Sequence, residues 1–410
     1  MRRRSVCLGI VAPLLAALLL TGTAVAAPPD QWVGSYAAAP GFTNPVPPVG
    51  STFRVLAMPH LGGETVRLRL SNRFGNRPLQ IDAVTVAPSV GQSAAVVAHE
   101  LRAVTFAGRP SIAIAPGADL ASDPIPLRIK AFQLLSVSIF VTSVDLVTEH
   151  LDAHQLSWLA PGANAAADTG SERYTVPYPS APILCGIDVA AAPGGRTIVA
   201  FGDSITDGFH ALPMEVLTLG ANQRYPDYLA RRLAAAGATH IGVVNAGISG
   251  NQVTQGPSGL EWALGYGPPG VDRFARDALG VPGVSDVLLA LGSNDLARGL
   301  HAPAAPEQVI AGLQRMIAQA HAAGVRVHLA TLTPRTDFEA PPPDSIQTVN
   351  RWIRAQRESD SILDFDALLR DPANPFRLAP QFDSGDGLHP NPAGYQRLAG
   401  GIDLGVLQIR

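Results

Sequence analysis

The pattern of apolar residues changes abruptly near residue 196 of this 410-residue chain. Before that point, short segments with period-two alternation are separated by Gly, Pro and Asp, as in strands joined by tight turns. After it, compact apolar runs alternate with segments of helical periodicity. Because a chain of this length exceeds one ordinary core, the change predicts two domains of different architecture, at about 31–190 and 196–410.

The first region is predicted to be β-rich and sandwich-like. Its strand candidates are residues 66–71, 79–87, 101–106, 111–115, 125–129 and 134–141. Several short strands about ten residues apart are typical of a sandwich or a jelly roll. The segment AAAPGG at 190–195 has the composition of a linker.

The second region is predicted to be an α/β domain. Its strand candidates are residues 197–202, 240–247, 284–292, 325–334 and 361–369. Its helix candidates are residues 224–237, 306–324, 345–356 and 392–402. Strands that alternate with helices indicate a parallel sheet covered by helices on both faces.

The N-terminus has the features of a signal peptide, predicted at 1–26. Three arginines precede an apolar stretch at 6–20, and small residues at 24–26 offer a cleavage site. The alternative is a membrane anchor, but a span needs about 20 apolar residues, so we expect an exported protein without an integral span. Cleavage would remove Cys7 and leave Cys185 alone. A lone cysteine forms no intramolecular disulfide or cysteine zinc site, and we predict a buried structural residue.

The charge distribution excludes several classes of protein. A net charge of −3 gives no electrostatic basis for binding nucleic acid or an anionic membrane. Lys130 is the single lysine, and it does not lie in a phosphate-binding loop, so a Walker-type NTPase is excluded.

Candidate functional residues follow the predicted strands of the second region. Ser204 follows the first strand, Gly250 the second and Asn294 the third, while Asp386 and His389 precede the last helix. In open α/β sheets, ligands bind beyond the carboxyl ends of the strands, so we expect these residues at one edge.

This set of residues suits acyl transfer. A serine hydroxyl becomes nucleophilic when a base takes its proton, and His389 is the candidate base for Ser204, with Asp386 orienting its ring. The backbone N–H groups of Ser204 and Gly250 and the amide of Asn294 are candidate oxyanion donors. Taken singly, each has an ordinary interpretation as a helix cap or a turn residue, and their convergence from four loops favours the catalytic one.

Four blocks in this order closely resemble the SGNH, or GDSL, hydrolase family: GDS at 202–204, ISGN at 248–251, GSND at 292–295 and DGLH at 386–389. The resemblance covers about residues 196–405. It implies a three-layer α/β/α flavodoxin-like fold and assigns the five residues the roles given above. Asn251 stands where many members have Asp, and Ser293 occupies a variable position. The β-rich region looks like an accessory domain of some secreted members.

Other patterns are weaker. The GYGPPG segment at 265–270 matches a dinucleotide-binding motif, but it follows no predicted strand and its prolines lack backbone donors. His150 and His154 have a spacing that could bind a metal on a helix, and we favour a solvated or hydrogen-bonded pair. Asp203 is interpreted as a brace for its loop. His210, Trp262 and Arg298 either line a pocket or serve packing and surface roles.

The sequence therefore predicts a secreted serine ester hydrolase that needs no metal or organic cofactor. We expect a monomer that acts on a small or polymer-borne ester, such as an acylated carbohydrate, a lipid or an aromatic ester. The insertion at 252–283 is expected to shape the pocket. Two alternatives remain: an acyltransferase to a sugar hydroxyl, and a non-catalytic glycan- or surface-binding protein.

Overall fold

The computed structural model describes residues 31–45, 50–142, 146–299 and 301–408. The signal peptide predicted at 1–26 lies outside the described residues. Within the described ranges, none of the helices combines the length and the hydropathy that crossing a bilayer requires.

The N-terminal region is rich in β-sheet, as predicted. Its strands are β1 (Trp32–Ala37), β2 (Phe42–Pro45), β3 (Ser51–Ala57), β4 (Gly63–Ser71), β5 (Leu79–Pro88), β6 (Arg102–Ala103), β7 (Ile112–Ile114), β8 (Asp119–Ala121), β9 (Ile125–Ile129), β10 (Leu135–Val141), β11 (Leu146–His150), β12 (Ser157–Ala160), β13 (Val176–Tyr178), β14 (Ala181–Pro182) and β15 (Leu184–Ala190). A 3₁₀ turn, Ala98–Glu100, precedes β6. The strand predicted at 101–106 is shorter than expected, because only two of its residues join the ladder with β5.

These strands form antiparallel sheets of five, seven and three strands around a shared core. In β9, Ile125, Leu127 and Ile129 are buried while the residues between them are exposed. The period-two pattern of the sequence therefore corresponds to one face on the core and one in water.

The C-terminal region alternates strands and helices. Its strands are β16 (Arg196–Gly202), β17 (Ile241–Gly247), β18 (Val284–Ala290), β19 (Arg326–Ala330), β20 (Ser361–Leu363), β21 (Arg370–Asp371) and β22 (Asn374–Leu378). Its helices are α1 (Ser204–Asp207), α2 (Met214–Leu217), α3 (Tyr225–Ala235), α4 (Gly259–Ala263), α5 (Gly270–Phe274), α6 (Ser293–Leu296), α7 (Pro306–Ala322), α8 (Pro343–Ala355), α9 (Phe365–Leu369) and α10 (Pro392–Gly401), with a π-helical turn at Ala275–Leu279 after α5.

Five of these strands form one parallel sheet in the order β17-β16-β18-β19-β20. The chain leaves β16 for the edge strand β17 on one side and then returns to β18 on the other side of β16. At such a reversal the connections diverge, which opens a crevice at the carboxyl ends of the strands.

Successive side chains of β16 pack into different cores. Val199 and Phe201 join a cluster that includes residues of α7 and α8, whereas Ile198 and Ala200 join a cluster with residues of α3 and α10. Because both faces of the strand are covered by helices, its sequence is a continuous apolar run rather than an alternating one.

The prediction for residues 361–369 is wrong in part. The strand ends at Leu363, and residues 365–369 form helix α9. Asp364 caps this helix, since its side chain accepts a hydrogen bond from the N–H of Ala367. A buried strand and a short buried helix give the same apolar run, and the N-cap decides between them.

The two regions are in close contact where β1 packs against β17 of the parallel sheet. The N–H of Gly34 in β1 donates hydrogen bonds to the carbonyl of Pro282 and to the hydroxyl of Thr197. A Cβ at Gly242 would lie 2.1 Å from the carbonyl oxygen of Gly34. Glycine is therefore required at Gly242 for β1 to approach β17 this closely.

Candidate active site

Ser204 lies where β16 turns into helix α1. It is the first residue of α1, and Asp203 before it is the N-cap, whose carboxylate accepts a hydrogen bond from the N–H of Ile205. A Cβ at Gly202 would lie 2.3 Å from the carbonyl oxygen of Ala290, so glycine allows this sharp turn between adjacent strand ends. Ser204 is 6% exposed and lies at the carboxyl edge of the sheet.

His389 and Asp386 reach Ser204 from the loop before α10. The Nε2 atom of His389 lies 2.9 Å from Oγ of Ser204, and its Nδ1 lies 2.6 Å from a carboxylate oxygen of Asp386. The other oxygen of Asp386 accepts hydrogen bonds from the N–H groups of Leu388 and His389 at 2.9 and 2.8 Å. Since Nδ1 donates to a carboxylate, the lone pair of Nε2 is directed at the serine hydroxyl.

The electrostatics of this loop favour an ionised carboxylate. Burial by itself would raise the pKa of Asp386, but the hydrogen bond and charge of His389 outweigh it, so the pKa lies at about 2. The ring of Phe209 packs against His389 with centroids 4.8 Å apart and covers one face of the imidazole. Asp386 is therefore a negative group at neutral pH, placed to stabilise a positive charge on His389.

Gly250 and Asn294 lie in the loops that follow β17 and β18. Gly250 has a φ of 77°, and a Cβ there would lie 2.2 Å from the ring of Tyr266. The amide of Asn294 donates one hydrogen bond, 3.0 Å long, to the carbonyl of Asn251. A carboxamide nitrogen carries two hydrogens, so this bond orients the group and leaves a second donor.

Asn251 and Arg273 fix the loop that carries Gly250. The amide of Asn251 donates to the carbonyls of Tyr266 and Pro268, and its oxygen accepts from Nε of Arg273. The buried guanidinium of Arg273 also donates to the carbonyl of Gly202 at the end of β16. An aspartate at 251 would lack the two amide donors, which explains why this chain has asparagine there.

Several candidate residues outside this cluster have other roles. Cys185 is buried, as predicted, and burial raises the pKa of its thiol to about 12. Trp262 packs edge-on against Phe74 of the N-terminal region, and His210 is buried against Tyr395. Arg298 is exposed, and its N–H donates to the carbonyl of Glu339.

The two weaker motifs can also be placed. The segment at 265–270 lies between α4 and α5, and no strand precedes it directly. His150 ends strand β11 rather than lying on a helix, and both His150 and His154 form hydrogen bonds with carboxylates. Among the described residues, no group of three or more His, Cys, Asp and Glu side chains is arranged to hold a metal ion.

A pocket of about 260 Å³ opens beside Gly250 and Asn294. Other residues that line it are Leu260, Leu264, Tyr266, Ala297, His301 and Glu339. Most of these belong to the insertion at 252–283 or to the loop after β18. A larger cavity of about 350 Å³, around His60 and Lys130, contains none of the candidate catalytic residues.

Sequence reasoning missed Asp207, which lies at the other end of α1 from Ser204. It is 1% exposed and accepts hydrogen bonds from His150 and from both the N–H and the hydroxyl of Ser249. A buried carboxylate requires such partners, but nothing in the local sequence indicates that one of them comes from residue 150. The one signal in the sequence was Asp207 itself, an acidic residue three positions after Ser204.

The parallel sheet, the reversal of strand order and the serine, histidine and aspartate at its carboxyl edge define an α/β protein with a hydrolase-type site. Residues 200–397 match the GDSL-like lipase/acylhydrolase family. The C-terminal region therefore contains a domain of this family, that of the SGNH hydrolases, at 200–397.

Solved structures resemble the chain over about half of its length. A GDSL-like lipase from Bacteroides thetaiotaomicron is 19% identical, with 53% of this chain and 90% of that chain covered and a TM-score of 0.38. Est24, a carbohydrate acetylesterase from Sinorhizobium meliloti, is 17% identical, with 52% and 100% covered and a TM-score of 0.39. LAE5, an α/β hydrolase from the metagenome of Lake Arreo in Spain, is 21% identical, with 54% and 98% covered and a TM-score of 0.35. No curated protein matches the chain.

Proposed function

We propose that this protein is a serine hydrolase that cleaves carboxylic esters, with Ser204 as the nucleophile. The observation that carries the proposal is the continuous chain of contacts from Ser204 Oγ through His389 to Asp386, with distances of 2.9 and 2.6 Å. Membership of the acylhydrolase family supports the same reaction class.

In the first half of the proposed reaction, Oγ of Ser204 attacks the ester carbonyl as Nε2 of His389 takes the hydroxyl proton. The carbonyl π electrons move onto oxygen, and the tetrahedral intermediate is stabilised by the N–H groups of Ser204 and Gly250 and the amide of Asn294. The intermediate collapses as the ester C–O bond breaks and His389 gives its proton to the departing alcohol, leaving an acyl-serine.

In the second half, His389 takes a proton from water, whose oxygen attacks the acyl-serine. Collapse of this intermediate breaks the bond to Oγ, returns the proton to Ser204 and releases the carboxylic acid. Throughout, the negative charge of Asp386 stabilises the imidazolium form of His389. Every step uses side chains of this chain and water.

We extend the proposal to the organisation and the substrate of the protein. Residues 1–26 are an export signal that is removed, 31–190 are an accessory domain, and 196–410 are a three-layer catalytic domain that acts as a monomer. The pocket of about 260 Å³ beside Gly250 and Asn294 supports an ester with one compact substituent, because drug-sized ligands occupy pockets of about 300–1,000 Å³.

The substitution Ser204→Ala tests the nucleophile. Hydrolysis of a simple aryl ester should fall by about 10⁴-fold or more, since the reaction has no other nucleophile of this kind. Ser111→Ala, in the N-terminal region, is the control and should retain full activity. If purified Ser204→Ala hydrolyses the ester as fast as the unmodified protein, the proposal is wrong. Product analysis with a sugar as acceptor separates hydrolysis from acyl transfer.

A further inference from the structure

A histidine of the N-terminal region contacts the helix that begins at Ser204. His150, the last residue of β11, is 6% exposed. Its Nδ1 lies 2.9 Å from the carbonyl oxygen of Ala39, and its Nε2 lies 3.1 Å from a carboxylate oxygen of Asp207. Both ring nitrogens thus face acceptors, an arrangement that only the protonated imidazolium, with two N–H donors, satisfies.

The surroundings of His150 and Asp207 favour the charged form of both side chains. Burial alone would lower the pKa of His150, but the charge of Asp207 and the hydrogen bond to it outweigh burial and raise the pKa. Burial alone would raise the pKa of Asp207, but the charge and hydrogen bond of His150 outweigh it and lower the pKa. Other titratable groups nearby are Asp152, His154, whose Nε2 lies 3.8 Å from Asp207, and Glu215, which pairs with His154 at 2.8 Å. The buried guanidinium groups of Arg224 and Arg273 also interact electrostatically with Asp207.

Asp207 connects this histidine to two parts of the catalytic machinery. It is the last residue of α1, the helix that begins at Ser204. Its second carboxylate oxygen accepts hydrogen bonds from the N–H and the hydroxyl of Ser249, both 3.0 Å long. Ser249 directly precedes Gly250, so a single carboxylate holds the helix of the nucleophile and the oxyanion loop at a fixed separation.

We propose that His150 is a positioning residue for ester hydrolysis: its contact with Asp207 sets the relative placement of Ser204 and the N–H of Gly250. The accessory domain then contributes to the geometry of the active site through His150. This inference rests on the proposed function. It predicts that loss of His150 slows the chemical step by misplacing the oxyanion donor, with little effect on substrate binding.

A second buried histidine of the N-terminal region provides a matched control. His60 has its Nε2 2.9 Å from a carboxylate oxygen of Asp227 and its Nδ1 2.7 Å from the carbonyl oxygen of Val243. The bridge resembles that of His150, since one ring nitrogen faces a carboxylate, the other faces a carbonyl, and the same two regions are joined; Nε2 of His150 also lies 3.2 Å from the carbonyl oxygen of Asp152. Asp227, however, lies in the first turn of α3 and bonds to Arg224, not to the loops of the site.

The experiment compares His150→Gln with His60→Gln in the full chain. The measurements are kcat and KM for a soluble aryl ester, together with the melting temperature. We expect both variants to have a lower melting temperature than the unmodified protein. In His150→Gln, kcat should fall by about 10- to 100-fold with KM within about threefold, because small displacements of a catalytic group cost up to about 10² in rate. In His60→Gln, kcat should stay within about twofold.

Ser249→Ala gives a second measurement that does not depend on the folding of His150→Gln. It removes the hydroxyl bond to Asp207 at a partly exposed position and should lower kcat several-fold. Combined with His150→Gln, it should add less than its separate effect, because both act through Asp207.

Equal losses of kcat in His150→Gln and His60→Gln, or additive losses with Ser249→Ala, would overturn the inference. The proposed function fails separately, if Ser204→Ala retains activity. If Ser204→Ala is inactive and His150→Gln retains full kcat, the hydrolase stands and the positioning role is wrong.

Discussion

Two buried aspartates, one in each region, differ in the partners that compensate their charge. Asp188 of β15 is fully buried and accepts hydrogen bonds from Arg67 and Arg69, one on each carboxylate oxygen. Asp203, beside Ser204, is 3% exposed and accepts one hydrogen bond from the N–H of Ile205. In the part of the chain that the structure describes, Asp203 forms no ion pair.

The difference separates a buried charge with two counter-charges from a buried carboxyl at the edge where we propose that the reaction takes place. In the N-terminal region Asp188 has two arginines as counter-charges, and the buried guanidinium of Arg54 donates to the carbonyls of Ala94 and Asp168. At the carboxyl edge of the parallel sheet, the buried carboxylate of Asp203 has a backbone N–H as its partner and no counter-charge within ion-pair distance among the described residues. Such partly compensated sites cost stability, and proteins retain them where function requires them.

The first prediction concerns Asn294, whose second amide hydrogen is unused by the loop. Asn294→Ala should lower kcat by about 10²–10³-fold with a modest change in KM, since the donor acts on charge that develops in the transition state. The measurement is steady-state kinetics with a soluble ester. A change confined to KM would show that Asn294 binds the substrate in its ground state instead. The proposed difference between the sheet edge and the N-terminal region would then have less support.

The second prediction compares two glycines with positive φ. Gly250 and Gly237 have φ values of 77° and 82°, so alanine is strained at both. A Cβ meets the ring of Tyr266 at 2.2 Å in the first case and nothing within 4 Å in the second. Gly250→Ala should therefore lower kcat by about 10-fold or more, while Gly237→Ala should lower only the melting temperature. If Gly250→Ala and Gly237→Ala have the same kcat, Gly250 is not a donor of the proposed oxyanion hole.

The third prediction tests the two aspartates directly. Asp188→Asn should destabilise the fold by about 3–5 kcal/mol, because it leaves two mostly buried arginines without a counter-charge. Asp203→Asn should have the opposite sign at neutral pH. Burial raises the pKa of Asp203 to about 6, so the folded state holds its proton more tightly than the unfolded state.

For a raised carboxyl pKa, stability of the unmodified protein falls as pH rises from about 4 to 6 and is level above that range. The melting temperature of Asp203→Asn relative to the unmodified protein should rise over the same interval. At pH 7 the gain should be about 2–3 kcal/mol. A difference in melting temperature that is independent of pH would mean that ionising Asp203 costs the folded state nothing, and the prediction would be wrong.

The parts of the fold that follow from local pattern could be predicted, and the contacts between distant segments could not. Ser204, Gly250 and Asn294 were predicted to meet because each follows a strand of one parallel sheet, which fixes their edge. The prediction for residues 361–369 failed in part because a capped helix and a strand share the same apolar run. The contact of His150 with Asp207 joins residues 57 apart and leaves no periodic trace in either segment.

The most direct test of the central claim is the labelling of the protein with a serine-directed fluorophosphonate, followed by mass spectrometry of its peptides. The account predicts one label per chain, on Ser204, that is lost in Ser204→Ala and slowed in His389→Ala. Label on a different serine, or full esterase activity in a protein that takes up no label, would contradict it.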